Sequence, residues 1–152
     1  MRYVLIDRFL ELEGGRRAKA VKCVTRGEGF LGAKDTYPPT LVLESILQIG
    51  GTVARIVATP GSRTMLGKVE RATFPSLARP GDRIVVDVSV ILSRPEGTMF
   101  HGVATVDGRT VGEADFMIVF LPMALTPKEG PVAREQRRLL WQSLGIPWDG
   151  QS

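Results

Sequence analysis

A long apolar run over residues 41–58 dominates the hydrophobic pattern of this chain and predicts one buried helix. Pro38 and Pro39 precede the run, and proline suits a first helical turn because the N–H it lacks would have no partner there. The run is apolar on nearly all sides, which is typical of a core helix. We therefore predict a helix over about residues 40–58. Its buried residues should include Leu43, Ile46, Leu47, Ile49 and Val53.

Polar side chains interrupt this helix along one narrow stripe. They are Glu44, Gln48, Thr52 and Arg55, at spacings of four, four and three residues. Such spacings place side chains on one helix face. A carboxylate in a buried helix is costly unless it is paired, hydrogen-bonded or directed into a cavity. Glu44 therefore pairs with Arg55 or a neighbouring chain, caps its own helix, or lies in a functional pocket.

Two adjacent glycines, Gly50 and Gly51, lie in the middle of the predicted helix. Each glycine costs a helix interior roughly 1 kcal/mol relative to alanine. A pair at this position therefore predicts that another backbone approaches the helix closely.

Alternating apolar and polar residues on both sides of the helix predict six strands. Their ranges are 3–13, 16–25, 64–75, 83–94, 98–106 and 110–121. Two strands, one helix and four strands in antiparallel succession indicate an α+β fold, in which a six-stranded sheet wraps one long central helix. We predict one domain over residues 1–122 and a C-terminal extension over residues 123–152 that is partly helical.

One face of each late strand carries the apolar side chains that should line the core. In the strand over residues 83–94 they are Ile84, Val86, Val88, Val90 and Leu92. In the last strand they are Ala114, Phe116, Ile118 and Phe120. In the strand over residues 98–106 the inward set is Phe100, Gly102, Ala104 and Val106. The single histidine of the chain, His101, therefore faces outward, and we assign it a surface role.

Charge and composition exclude several classes of function. The net charge is only +4, and basic residues do not alternate with aromatic ones as in single-strand binding proteins, so nucleic-acid binding is not expected. A small basic cluster should form a solvated face. Its members are Arg16, Arg17, Lys19 and Lys22. One histidine and one cysteine exclude the usual zinc ligand sets.

Two further features bear on the location of the protein. The central helix carries Glu44, Gln48 and Arg55, so we do not expect it to span a membrane. The lone cysteine, Cys23, permits no internal disulfide and fits a reducing compartment. We therefore expect a cytoplasmic protein.

Four segments in the right order and spacing resemble the 3-hydroxyacyl-(acyl-carrier-protein) dehydratases of fatty acid synthesis, which have a single hot-dog fold. They cover residues 5–13, 39–48, 79–82 and 102–108. The resemblance implies a hot-dog fold and a homodimer or larger assembly with each site between two subunits. It also implies a substrate carried on the phosphopantetheine of acyl carrier protein or CoA, with no further cofactor.

The resemblance assigns site residues one by one. Glu44 stands where the family has its catalytic helix carboxylate, and Gln48 stands at the family's glutamine. The loop before the helix departs from the family, which reads His-Phe-Pro-Gly where this chain has residues 30–33, so Phe30 replaces the catalytic histidine. The expected substrate-binding residues are Phe30, Leu31, Gly32, Tyr37 and Gln48.

Several functions follow from that replacement. We expect a dehydratase-like protein that binds 3-hydroxyacyl and enoyl thioesters, with weak or absent dehydration in isolation. The alternatives are a non-catalytic subunit, a half-site subunit that pairs with a histidine-bearing hot-dog partner, and a hot-dog acyl thioesterase. The strand over residues 64–75 should form a sheet edge that pairs across subunits, because exposed edges invite pairing.

Overall fold

Six strands and one long helix make up the part of the chain that the computed structural model describes. The described residues are 4–29, 31, 35–58, 62–122, 135, 138, 139, 141–143 and 145. The elements are β1 (Arg8–Glu13), β2 (Arg17–Cys23), α1 (Pro39–Val57), β3 (Ser62–Thr73), β4 (Arg83–Arg94), β5 (Gly97–Val106) and β6 (Arg109–Pro122). The predicted extension over residues 123–152 lies mostly outside the described residues, so the domain boundary stays a prediction.

The six strands form one antiparallel sheet in the order β1-β2-β4-β5-β6-β3. The helix contacts every strand from β2 to β6. The predicted α+β architecture, with a six-stranded sheet around one central helix, is confirmed. Strand β3 lies at one edge of the sheet, as predicted, and β1 lies at the other.

The helix buries one face against the sheet and leaves the opposite face partly open. Its buried residues are Val42, Ser45, Ile46, Ile49, Gly50, Val53 and Ala54. The predicted burial of Ile46, Ile49 and Val53 is confirmed. For Leu43 and Leu47 the prediction is wrong, because both lie on the flank of α1 and are only partly buried against the core. A single sheet covers less of the helix than its apolar pattern suggests.

Aromatic side chains, rather than a second backbone, approach the helix at Gly50. The rings of Phe100 and Phe116 are stacked with their centroids 5.3 Å apart and their planes 18° from parallel. A methyl group at Gly50 would overlap the Phe116 ring, whereas Gly51 has open space around it. The predicted backbone approach is therefore wrong, and the requirement for glycine comes from the Phe116 ring.

A β-bulge corrects the predicted core face of β4. Ile84, Val86 and Val88 are fully buried, as predicted. The pairing register with β5 then shifts between Val90 and Leu92. A bulge inserts a residue and turns the following side chains over, so Leu92 lies opposite Met99 and is 49% exposed.

By length and composition α1 is the one helix in the described residues that could cross a membrane. Its buried face packs against five strands, which is how the core helix of a sheet-wrapped domain behaves. We therefore interpret α1 as a core helix.

The contact at Gly50 generates a matched pair of stability predictions. Gly50→Ala should lower the free energy of unfolding by about 1–3 kcal/mol, because the added methyl group overfills the core beside Phe116. Gly51→Ala should raise it by up to about 1 kcal/mol, because alanine favours helix and meets no neighbour. Denaturant unfolding of both variants measures the difference. Equal losses at the two positions would contradict this packing.

Candidate functional site on the open face of the central helix

Glu44 lies on the face of α1 that points away from the sheet, and Gln48 holds it there. The Gln48 side-chain amide donates to Glu44 Oε1 over 3.1 Å. The Gln48 side-chain oxygen Oε1 accepts a hydrogen bond from the backbone N–H of Leu5 over 3.0 Å. The N-terminal segment therefore fixes the glutamine, and the glutamine fixes one oxygen of the carboxylate. The structure brings together the two helix residues that the sequence assigned to the site.

The helix geometry removes two of the roles proposed for Glu44. The first turn contains no acidic residue, and Glu44 is the sixth residue of α1, so it does not cap the helix. Arg55 lies 11 residues further along, roughly 16 Å at 1.5 Å per residue, which is too far for a direct ion pair. A neighbouring chain or a functional pocket remains as the explanation for this carboxylate.

Apolar side chains flank the carboxylate on the same part of the helix surface. Leu47 and Gln48 follow Glu44 by three and four residues, so both are neighbours of the carboxylate on the helix surface. Leu43 and Leu47 are half-buried. Thr52 continues the polar stripe, but its hydroxyl donates to the Gln48 backbone carbonyl over 3.0 Å. The result is one carboxylate in a mainly apolar surface, which suits an acyl chain next to a polar reacting group.

The segment before the helix is described only in part. Phe30 and Gly32 lie outside the described residues, so their roles stay predictions. Leu31 is half-buried and packs against the core. Tyr37 is fully buried and its backbone N–H donates to the Ala78 carbonyl over 2.9 Å. The contact of Tyr37 with a substrate stays a prediction.

His101 lies on the outer face of the sheet, on the opposite side from the helix. Its strand neighbours Phe100 and Gly102 are buried, which confirms the predicted outward direction. The His101 Nδ1–H donates to Asp115 Oδ1 over 2.7 Å, since a carboxylate can only accept. This hydrogen bond is the main cause that lowers the pKa of Asp115, and Arg71 adds to it. The only histidine of the chain therefore cannot reach Glu44 of the same chain.

A buried ion pair beside the loop was missed by the sequence reasoning. Lys22, which we expected on a solvated face, is 8% exposed and contacts Glu28 Oε1 at 2.6 Å. Lys22 follows Ala18 and Ala20 at intervals of two residues along β2, and this even parity places all three on one face of the strand. Both alanines are fully buried. That parity is the signal in the sequence that would have placed Lys22 on the inner face.

One concave feature of the described residues lies away from this site. A cavity of about 370 Å³ opens on the outer face of the sheet, at the turn between β4 and β5. It is lined by Leu92, Arg94, Glu96, Gly97, Met99, Met117 and Val119. No group of three or more His, Cys, Asp or Glu side chains in the described part of the chain could hold a metal ion.

Comparison with known proteins identifies the family. The chain is 30% identical over 120 residues to the 3-hydroxyacyl-[acyl-carrier-protein] dehydratase FabZ of Halalkalibacterium halodurans, across 76% of this chain and 86% of that protein. It is 36% identical over 122 residues to the FabZ of Cronobacter sakazakii, across 76% of this chain and 81% of that protein. The chain belongs to the FabZ family. No family model matches the chain.

Solved structures show the same hot-dog fold as this FabZ-family chain. The smu.793 protein of Streptococcus mutans bound to acetyl CoA matches with a TM-score of 0.69 at 14% identity, over 81% of this chain and 94% of that one. A hypothetical thioesterase of Streptococcus pneumoniae with coenzyme A matches with a TM-score of 0.66 at 12% identity, over 76% of this chain and 86% of that one. The predicted hot-dog fold is confirmed.

The outer-face pair of His101 and Asp115 predicts a pH-dependent stability. Because its folded pKa lies below the ordinary value of 3.8, ionised Asp115 stabilises the fold above that pH and loses this effect as the pH falls through the folded pKa. Asp115→Asn should therefore cost up to about 1 kcal/mol of unfolding free energy at pH 7, since the group is near the surface. The cost should shrink below pH 3.8.

Urea unfolding across that pH range is the measurement. Glu96→Gln is the control, because Glu96 is exposed in the turn between β4 and β5 and has no ion pair to the described residues. A cost for Asp115→Asn that does not change with pH would contradict the account of His101 as an outer-face partner of Asp115.

Proposed function

We propose that this FabZ-family protein binds 3-hydroxyacyl and enoyl thioesters on acyl carrier protein or CoA, and that the isolated protein dehydrates them weakly or not at all. The names of its FabZ relatives support the substrate class. Structural neighbours with bound coenzyme A or acetyl CoA support a thioester ligand in this fold. The observation that carries the proposal is the Glu44–Gln48 pair on the open face of α1.

Glu44 can supply one half of the acid–base chemistry. Dehydration removes a proton from C2 of the acyl chain and protonates the departing hydroxyl at C3, so it needs a positioned base and a positioned acid. Gln48 occupies Oε1 of Glu44. The other oxygen, Oε2, makes no hydrogen bond to the described residues, so it is free to engage the substrate hydroxyl. Leu43 and Leu47 supply apolar surface for the acyl chain.

No second acid–base group lies beside Glu44 among the described residues of this chain. Its only histidine, His101, is engaged by Asp115 on the outer face. Loss of one positioned acid–base group typically lowers a rate by about 10²–10⁴-fold. A dehydration rate far below that of a histidine-bearing relative follows from this geometry.

Three other functions are compatible with the surface around Glu44. A histidine from a different hot-dog subunit would complete the site around Glu44, and the chain would then act as a half-site subunit. A non-catalytic subunit would use the apolar surface for binding alone. Structural neighbours named as thioesterases favour a hot-dog thioesterase. The residues fit that reaction too, because thioester hydrolysis needs a carboxylate that activates water and needs no base that removes a proton from C2.

We also propose that two copies associate through β3. Leu66 and Val69 lie opposite the buried residues Ile118 and Phe116 of β6, yet they are 42% and 36% exposed. The inner face of the sheet therefore extends beyond its own helix at this edge. The free edge of β3 offers unpaired backbone groups beside this apolar surface. A second copy would cover both, and the open face of α1 would then lie near the interface.

The association predicts a dimer that charged substitutions dissociate. In sedimentation velocity the wild type should run at twice the 16.6 kDa chain mass at micromolar concentration. Val69→Asp should shift it towards the monomer, because a carboxylate on the covered apolar surface would lose its hydration. Leu10→Asp is the control, since Leu10 is as exposed but lies on β1 at the other edge. A monomeric wild type would contradict the proposal.

The catalytic prediction concerns turnover of crotonyl-CoA and decenoyl-CoA by the purified protein. The wild type should bind decanoyl-CoA but hydrate enoyl-CoA at least about 10²-fold more slowly than the usual enzyme range of about 1–10³ s⁻¹. Glu44→Gln should remove most of the residual rate. His101→Gln, whose side chain lies on the outer face, should leave it unchanged.

The alternatives separate in the same assay. Wild-type turnover within the usual range that disappears in Glu44→Gln would show a histidine-free mechanism and overturn the proposal of weak dehydration. Release of free CoA from acyl-CoA would establish the thioesterase alternative. A rate that rises only when a histidine-bearing hot-dog protein is added would establish the half-site alternative.

A further inference from the structure

The buried pair of Lys22 and Glu28 stands where the second strand leads into the segment before the helix. The two side chains are 10% and 11% exposed, and their charged atoms are 2.6 Å apart. Lys22 lies on the inner face of β2, opposite the fully buried Ile84. A buried pair of this kind contributes little net stability compared with apolar residues of similar size. Its position therefore calls for an explanation other than stability.

Glu28 is the centre of a short series of contacts that ends at Leu31. Its Oε1 accepts both the Lys22 ammonium group and the backbone N–H of Thr25, the latter over 3.2 Å. Its backbone carbonyl accepts the N–H of Leu31 over 3.1 Å. Its Oε2 is buried and has no hydrogen-bond partner among the described residues. Lys22 thus balances the charge of the Glu28 carboxylate. Glu28 connects β2 to Leu31, because its side chain bonds Lys22 and its backbone carbonyl bonds the Leu31 N–H.

The same ammonium group also contacts Tyr37, which lies two residues before the first residue of α1. Lys22 Nζ lies 5.9 Å from the centroid of the Tyr37 ring, within the range of a cation–π interaction. Tyr37 is fully buried and its backbone is fixed to Ala78. Lys22 therefore contacts Glu28 in the turn over residues 25–28 and Tyr37, two residues before α1.

We propose that Lys22 is a positioning residue of the thioester site, because its ammonium group sets where Leu31 stands relative to the first turns of α1. This inference rests on the proposed function, since Leu31 and Glu44 belong to the same predicted site. Lys22 touches no substrate. It acts through Glu28, and a displacement of about 1 Å at a positioned contact can cost roughly 10²-fold in function.

The test separates positioning from stability with a neutral double variant. Lys22→Met leaves the Glu28 carboxylate buried without its cation, so it should lower both the melting temperature and the affinity for decanoyl-CoA. Adding Glu28→Gln removes the stranded charge and keeps an oxygen for the Thr25 N–H. The double variant should regain most of the melting temperature. Its Kd for decanoyl-CoA in titration calorimetry should remain at least about tenfold weaker than that of the wild type.

Arg17→Met is the matched control. Arg17 lies on the same strand and is paired with Asp87 on the outer face, so its loss should leave the Kd unchanged. A double variant that regains wild-type affinity together with its stability would overturn the inference, because a purely structural role predicts that result.

Hydrogen exchange of the wild type tests the same claim without a variant. Decanoyl-CoA should slow exchange of the Leu31 amide, which is bonded to Glu28, and absence of protection there would overturn the inference. The proposed function fails differently: the wild type would then bind no acyl thioester at all. If the wild type binds decanoyl-CoA and the double variant binds it with the same Kd, only the role of Lys22 is overturned and the proposed function stands.

Discussion

The packing of α1 against the stacked rings of Phe100 and Phe116 is the contact on which the rest of the structure depends. Gly50 lets the helix approach the Phe116 ring at a distance that no larger residue permits. This contact sets the rotation of the helix about its axis. Because one face is committed to the rings, the stripe that contains Glu44 and Gln48 must point away from the sheet. The position of the candidate site thus follows from the packing of the core.

Much of the fold could be predicted because strand alternation and helix periodicity report burial directly. The limits of that prediction have physical causes. Leu92 faces outward because a bulge changes the strand parity, and a bulge leaves no reliable mark on the hydrophobic pattern. Lys22 is buried because a carboxylate six residues later pairs with it. Leu47 looked like a core residue because an apolar side chain does not reveal which surface will cover it.

The candidate site, like the fold, could be predicted from the sequence only in part. Glu44 and Gln48 could be placed together from their spacing of four residues, and the structure joins them by a hydrogen bond. The segment before the helix has no periodicity, so its residues were assigned by resemblance alone, and the full burial of Tyr37 could not be predicted from the sequence pattern. The half-buried face of α1 and the exposed inner residues of β3 are explained together if a second copy covers them, which no pattern within one chain can show.

The most direct test of this account is to find where an acyl thioester lies on the protein. A decanoyl-pantetheine with a photoreactive diazirine at the end of its acyl chain would be cross-linked to the wild type, and the labelled peptides would be mapped by mass spectrometry. The account predicts labels at Leu31 and on α1 around Leu43 and Leu47, which unlabelled decanoyl-CoA removes by competition. Competed labels confined to the outer face of the sheet, at Leu92 and Met117, would contradict it.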